Sequence, residues 1–134
     1  MDHDLPVHVA IVGIVDDDPA VRNSLKFLLE IDGFAADVYA SADELLTEDG
    51  DLSRFRCFVI DQYMPGLSGL DLAAKLRERH VPVPVILITT HPSKALVARA
   101  THAGVPIVEK PLLGSALLDK IRELVARPMP PNVS

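Results

Sequence analysis

Acidic side chains stand where short apolar runs of this 134-residue chain end. Asp16, Asp17 and Asp18 follow one such run, and Asp61 follows another. Four carboxylates gathered in one place would repel one another strongly unless a cation lay among them. Carboxylate oxygens suit hard divalent ions, and Mg²⁺ accepts one or two of them together with waters and a phosphoryl oxygen. These residues therefore predict a magnesium site, provided that the fold brings them together.

A lysine and a simpler interpretation both bear on this cluster. Lys110, in a Glu-Lys-Pro sequence, follows a third apolar run and would supply one positive charge. In the simpler interpretation, Asp18 caps a helix that begins at the following proline, and Asp16 and Asp17 form a solvated turn. Lys110 would then be an ordinary surface lysine. We accept the cap for Asp18, but a turn alone leaves Asp61 and Lys110 unexplained.

Five short apolar runs alternate with segments of helical periodicity, a pattern typical of repeated β-α-β units. Strands are expected at residues 8–15, 34–39, 56–60, 83–88 and 105–108. Gly33 is expected to end the first helix, Ser41 and Glu44 form a capping box for the second, and Ser68 caps the third. Two more helices are expected at about residues 92–103 and 113–127. The pattern predicts a doubly wound α/β domain with a five-stranded parallel sheet.

The ends of these strands are the places to look for a ligand site. In doubly wound sheets the ligand crevice lies at the carboxyl ends of the strands. The acidic triplet, Asp61 and Thr89 stand directly after predicted strands, and Lys110 is the second residue after the fifth. The topology therefore predicts that they meet at one edge of the sheet.

Composition restricts the remaining function classes. Nineteen acidic residues against thirteen basic ones give a formal charge of −6, so nucleic acid is not an expected partner. No apolar run is long enough to span a bilayer and no signal peptide precedes the domain, so we expect a cytoplasmic protein. The single cysteine cannot form an internal disulfide, and the five histidines lack zinc-ligand spacing.

Four motifs stand in a defined order along the chain: I-V-D-D-D, V-I-D-Q-Y-M-P-G, L-I-T-T and E-K-P. With these motifs the sequence resembles the receiver domains of two-component response regulators, above all receivers that precede LuxR-type DNA-binding domains. No such output domain is expected in this chain. The likeness covers residues 7–127 as the receiver domain and leaves 128–134 as a flexible, Pro-rich tail. It implies a flavodoxin-like fold with strand order 2-1-3-4-5 and five helices.

The resemblance implies a phosphorylation-activated switch. Asp61 would accept a phosphoryl group from a sensor histidine kinase, a phosphotransfer protein or a small phosphodonor. Asp17 would bind Mg²⁺ directly and Asp16 largely through a water molecule, and Asp61 and the backbone carbonyl of Tyr63 would complete the ligands. Apart from promoting its own phosphorylation and dephosphorylation, the protein would not be an enzyme.

Lys110 and Thr89 would complete the switch. By resemblance, Lys110 contacts a phosphoryl oxygen and the peptide bond to Pro111 is cis. The hydroxyl of Thr89 would donate a hydrogen bond to the phosphoryl group and draw the following loop inward. A downstream protein target would sense this change on the surface of helix four, strand five and helix five, where a homodimer could also form. Without the other motifs, Thr89 would be interpreted as a structural residue.

Departures from the family pattern keep other functions open. Ile107 replaces the usual aromatic residue, Pro106 opens a short fifth strand, and Thr90 replaces a smaller residue. The main alternative is therefore a receiver-fold interaction module that signals without phosphorylation. A dehalogenase-like phosphatase would need an Asp-x-Asp motif on the first strand with a further acid/base carboxylate. A flavin-binding module would need a hydroxyl- or glycine-rich phosphate loop, where this chain has an acidic triplet that repels phosphate.

Overall fold

The computed structural model describes residues 9–112 and 115–127. Within them, five parallel strands form one sheet in the order β2-β1-β3-β4-β5 and alternate with five α-helices. The elements, in chain order, are β1 (Ile11–Val15), α1 (Pro19–Ile31), β2 (Ala35–Tyr39), α2 (Ala42–Leu46), β3 (Cys57–Asp61), α3 (Gly69–Glu78), β4 (Val85–Thr89), α4 (Lys94–Ala103), β5 (Ile107–Glu109) and α5 (Ala116–Ala126). This confirms the doubly wound, flavodoxin-like fold. The predicted tail at 128–134 lies outside the described residues, as do His8, Leu113 and Gly114 of the predicted elements.

Each face of the sheet is covered by its own hydrophobic core. One core includes buried side chains from α2, α3 and α4, such as Leu45, Leu76 and Leu96. The other includes Leu29 of α1 and Ile121 of α5. Because both faces are covered, β3 and β4 are buried along their whole length. This explains why their sequences are continuous apolar runs, which are typical of parallel sheets.

Local signals set most helix ends. Asp18 caps α1 by accepting a hydrogen bond from the backbone N–H of Ala20, with proline at the first helical position. Ser41 and Ser68 cap α2 and α3 as predicted, and Ser93 caps α4, which therefore begins two residues after the predicted start. Gly33 follows α1 with a φ of 92°, which is the left-handed conformation that ends many helices.

The predicted starts of the fourth and fifth strands are wrong by two residues. β4 begins at Val85, directly after Pro84, which has no N–H to donate to a neighbouring strand. β5 begins at Ile107 because Pro106 likewise lacks an N–H, and the N–H of Val105 is bonded to the carbonyl of Ala100 at the end of α4. Both strands also run one residue further than predicted, and β5 has only three residues.

Two expectations from composition concern single features of the fold. Cys57 is fully buried in β3, and this burial raises the pKa of its thiol to about 12. It is a small apolar core residue, as predicted. Within residues 9–112 and 115–127, no helix is both long enough and apolar enough to cross a membrane.

Candidate functional site

Two neighbouring strands bring the predicted carboxylates together. β1 and β3 are paired so that Val15 lies beside Ile60, and the next residues are Asp16 and Asp61. Both of these carboxylates are buried, whereas Asp17 is exposed. Each of the three side chains places an oxygen within 4.8 Å of an oxygen of the other two. The sheet edge thus holds the acidic cluster that the sequence predicts, with Asp18 turned aside to cap α1.

Lys110 reaches this cluster from the end of β5, an edge strand of the sheet. Its backbone N–H donates to the carbonyl of Thr89 at 2.7 Å, which continues the pairing of β4 with β5 beyond Glu109. Its ammonium Nζ lies 3.3 Å from an oxygen of Asp61 and 3.4 Å from an oxygen of Asp16. One ammonium therefore contacts both buried carboxylates, and the Lys110-Pro111 peptide bond is cis, as predicted.

Burial and neighbouring charges both shift the pKa values of this group. Burial raises the pKa of the Asp61 carboxyl above its ordinary value, and the nearby Asp16 raises it further. Lys110 and a backbone hydrogen bond from Tyr63 oppose this rise without cancelling it. For Lys110, burial favours the neutral amine, but the two carboxylates outweigh it and raise its pKa. One ammonium does not balance two buried carboxylates, so the site favours additional positive charge.

Two contacts hold the first acidic loop in place. One oxygen of Asp16 accepts the backbone N–H of Asp18 at 2.9 Å. The guanidinium of Arg22, on the first turns of α1, donates to the backbone carbonyl of Asp16 at 2.8 Å. Arg22 is not among the predicted site residues. The signal was present, because a basic residue one helical turn after an N-cap can reach back over the loop that precedes its helix.

Gln62 is the second site residue that the sequence analysis missed. It follows Asp61 directly, and its side chain is buried against the start of α3. A buried amide must find hydrogen-bond partners, so a glutamine next to an apolar strand was the available signal.

The two remaining predicted site residues lie nearby but do not join the carboxylate cluster through their side chains. Thr89 is fully buried at the end of β4, and its hydroxyl donates to the backbone carbonyl of Thr90 at 3.3 Å. The side chain of Tyr63 is largely exposed, and only its backbone N–H acts on the site, by lowering the pKa of Asp61. The roles of Thr89 as a switch and of the Tyr63 carbonyl as a metal ligand stay predictions.

Comparison with known proteins supplies the family. The family model for the response regulator receiver domain matches residues 12–122. The chain belongs to that family. This receiver domain is 39% identical to the transcriptional regulatory protein FixJ of Azorhizobium caulinodans over 128 residues, which cover 95% of the chain and 58% of that protein. It is 36% identical to FixJ of Rhizobium meliloti over 82% of the chain and 54% of that protein. The chain thus spans about half the length of the curated relatives that it matches.

Solved structures agree with the assignment. The crystal structure of FixJ-N superposes with a TM-score of 0.77 at 29% identity and covers 92% of this chain and 99% of that one. A CheY-like receiver domain from Methanospirillum hungatei gives a TM-score of 0.78 at 28% identity, over 87% of this chain and 94% of that one. The response regulator TrrA of Thermotoga maritima, in complex with Mg²⁺-BeF, gives a TM-score of 0.74 at 25% identity, over 87% of this chain and 99% of that one.

The donor set of the receiver domain fits a magnesium ion. Ligand oxygens of an octahedral Mg²⁺ lie about 2.0–2.1 Å from the metal, hence about 3–4.2 Å from one another. The oxygens of Asp17 and Asp61, within 4.8 Å of each other, need only a small adjustment to reach these separations, and Asp16, equally near to both, can act through a water molecule. All three are hard carboxylate donors, and the cluster lacks the softer ligands that would favour zinc or copper. The cluster could hold Mg²⁺.

Proposed function

We propose that this receiver domain is a phosphorylation-activated signalling switch that takes a phosphoryl group onto Asp61 in the presence of Mg²⁺. The observation that carries the proposal is the ammonium of Lys110, 3.3 Å from Asp61 and 3.4 Å from Asp16 at the carboxyl end of the sheet. A carboxylate oxygen of Asp61 attacks phosphorus, and the bond from phosphorus to the donor nitrogen or oxygen breaks. The bonding electrons leave with the donor group, which is a histidine imidazole in a kinase or phosphotransfer protein.

The surrounding residues align the reactants and offset charge. Phosphoryl transfer needs little covalent help beyond these two effects. Asp17, with Asp16 acting through water and Tyr63 through its backbone carbonyl, would hold Mg²⁺ beside Asp61. When bound, the ion neutralises charge on the transferring oxygens. Lys110, which already contacts Asp61, would move its hydrogen bond to a phosphoryl oxygen.

Thr89 would carry the change away from the site. Among residues 9–112 and 115–127, its hydroxyl bonds only to the carbonyl of Thr90, a neutral partner at the long distance of 3.3 Å. A phosphoryl oxygen would be a stronger acceptor, because charge-assisted hydrogen bonds are about twice as strong as neutral ones. Exchange of this bond would shift the backbone after β4 and with it the surface of α4, β5 and α5.

A groove beside Lys110 suits the protein that delivers the phosphoryl group. The cavity, about 360 Å³, lies between α1 and the segment after β5 and is lined by Val21, Leu28, Pro111 and Leu112 as well as Lys110. The same helix exposes two further large apolar side chains, Phe27 and Ile31. A helix of a histidine kinase or phosphotransfer protein, docked here by apolar contact, would place its phosphohistidine next to Lys110.

The output surface would receive a downstream protein target or a second copy of the chain. A groove of about 340 Å³ separates α4 from β5, and its lining includes Val97, Ala100 and Ile107. Val97 is exposed. Sedimentation velocity with and without phosphorylation tests the homodimer, which is rejected if the mass stays monomeric in both states.

Intact-mass measurement tests the phosphorylation itself. The protein is incubated with Mg²⁺ and acetyl phosphate or phosphoramidate, beside an EDTA control. We expect one added phosphoryl group in the wild type and none in Asp61→Asn or in EDTA. Asp18→Asn is the matched control, because Asp18 belongs to the same acidic triplet but caps α1. It should label like the wild type.

Failure with both small donors calls for candidate histidine kinase domains carrying ³²P-phosphate and for a Mg²⁺ titration. If those also leave the protein unlabelled, the proposal is wrong and the alternative, signalling without phosphorylation, takes its place. If kinase transfer succeeds, Leu28→Asp should abolish it while labelling by acetyl phosphate stays at the wild-type level. Undiminished kinase transfer in Leu28→Asp would reject the docking groove.

A further inference from the structure

The loop that leaves the phosphoacceptor strand begins with a buried polar residue. Gln62 follows Asp61, and the residue is 6% exposed. Its backbone N–H donates to the carbonyl of Ile88, which extends the pairing of β3 with β4 by one residue. Its main chain is therefore hydrogen-bonded to the sheet, and its side chain can form hydrogen bonds with another element.

That element is α3. The first N–H groups of a helix have no partner within the helix, and here three of them are satisfied from the preceding loop. The backbone carbonyl of Gln62 accepts from Gly69 at 3.0 Å, and its side-chain Oε1 accepts from Leu70 at 2.9 Å. Ser68 Oγ accepts from Asp71 at 3.2 Å. One residue thus closes the loop 62–68 through two hydrogen bonds.

The end of β3 and the start of α3 are in direct contact. A Cβ on Gly69 would lie 2.5 Å from the backbone oxygen of Asp61, so α3 starts directly against the end of β3. Tyr63 lies inside this closed loop, directly after the residue that makes both bonds to α3, and its backbone N–H is one of the groups that lower the pKa of Asp61. A shift at the start of α3 would therefore be transmitted to the backbone that contacts the phosphoacceptor.

We propose that Gln62 is a positioning residue for the metal and phosphoryl site: by capping α3 with its side-chain amide, it fixes the backbone of Tyr63 against Asp61. The inference rests on the proposed function, in which the Tyr63 carbonyl adds a ligand to Mg²⁺. Residues that orient the ligands of a metal change metal affinity by about 10- to 100-fold when they are replaced.

The test compares Gln62→Met with Ser68→Ala. Each variant removes one side-chain acceptor from the first turn of α3, so each should lose stability in urea unfolding. Of these two capping residues, only Gln62 is adjacent to Tyr63 in the chain. We expect the Mg²⁺ dissociation constant, measured by isothermal titration calorimetry, to rise about 10-fold or more in Gln62→Met. In Ser68→Ala it should stay within about twofold of the wild-type value. Gln62→Asn, which keeps the amide on a shorter side chain, should lie between them and serves if Gln62→Met does not fold.

Each outcome decides the inference. It is overturned if Gln62→Met or, where that variant does not fold, Gln62→Asn binds Mg²⁺ as tightly as the wild type. It is also overturned if Ser68→Ala loses as much affinity, since general loosening of α3 would then be the cause. A wild-type protein that binds no Mg²⁺ would instead overturn the proposed function, and this inference with it.

Discussion

Replacement of Asp61 by asparagine should stabilise the protein at neutral pH when Mg²⁺ is removed. The buried carboxylate lies 3.3 Å from the Lys110 ammonium and within 4.8 Å of an oxygen of Asp16. At an effective dielectric constant of about 20, the attraction is about 5 kcal/mol and the repulsion at least about 3.5 kcal/mol. The remainder, at most about 1.5 kcal/mol, is smaller than the several kcal/mol that an ion loses on leaving water. The ionised carboxylate is therefore a net cost, and we expect the neutral amide to add about 1–2 kcal/mol of stability.

The pH dependence of this effect follows from the pKa shift. Burial and Asp16 raise the pKa of Asp61 above its ordinary value of 3.8. Below that value both the folded and the unfolded chain hold the proton, so the carboxyl costs nothing. As pH rises through the folded-state pKa, the folded chain must give up a proton that it binds more tightly, and stability is lost. The advantage of Asp61→Asn should therefore be greatest near pH 7 and disappear towards pH 4.

Urea unfolding followed by far-UV circular dichroism measures both effects. The variant and the wild type are compared in EDTA at pH 7.5 and pH 5, with Asp49→Asn at an exposed carboxylate as the control. In saturating Mg²⁺ the order should reverse, because a ligand at 100 times its dissociation constant stabilises the folded state by about 2.7 kcal/mol. A wild type at least as stable as the variant in EDTA at pH 7.5 would refute the electrostatic reasoning.

Three further predictions concern the framework of the site. Asp18→Ala should cost about 1 kcal/mol in urea unfolding, because the backbone N–H of Ala20 loses its acceptor; an unchanged midpoint would contradict the cap. Gly13→Ala should lower stability by about 1–3 kcal/mol in the same assay, since its Cβ would lie 2.6 Å from the ring of Phe58; equal stability would show that the ring moves aside freely. Cys57 should react with a maleimide at pH 8 only after unfolding, because it is buried and its thiol pKa is raised to about 12; rapid labelling of the folded protein, read by mass, would disprove this.

Local structure was predictable wherever a signal acts over a few residues. Asp18, Ser41 and Ser68 cap their helices because a side-chain oxygen meets N–H groups two or three residues along the same chain. Prediction failed where two local demands compete. The sequence pattern places Val105 in β5, but its N–H donates to a carbonyl of α4 instead of to the sheet. The next residue, Pro106, has no N–H to donate.

The role of Gln62 lay beyond such signals. Its bond to Leu70 spans eight residues and depends on how closely α3 approaches the end of β3. That approach is possible because position 69 is glycine, whose lack of a Cβ leaves room for the backbone of Asp61. The sequence contains both residues, but nothing in their spacing shows that they meet.

The sequence by itself determined the doubly wound fold and the composition of the site. The alternation of apolar runs and amphipathic segments predicts parallel strands, and parallel strands end at one edge, so Asp16, Asp61 and Lys110 had to lie at that edge. Only the tertiary structure decided how they meet. Lys110 is 49 residues from Asp61 and 94 from Asp16, yet its ammonium contacts both. Strand order and register set these distances. The resulting excess of buried negative charge raises the pKa of Asp61 and favours the binding of a cation.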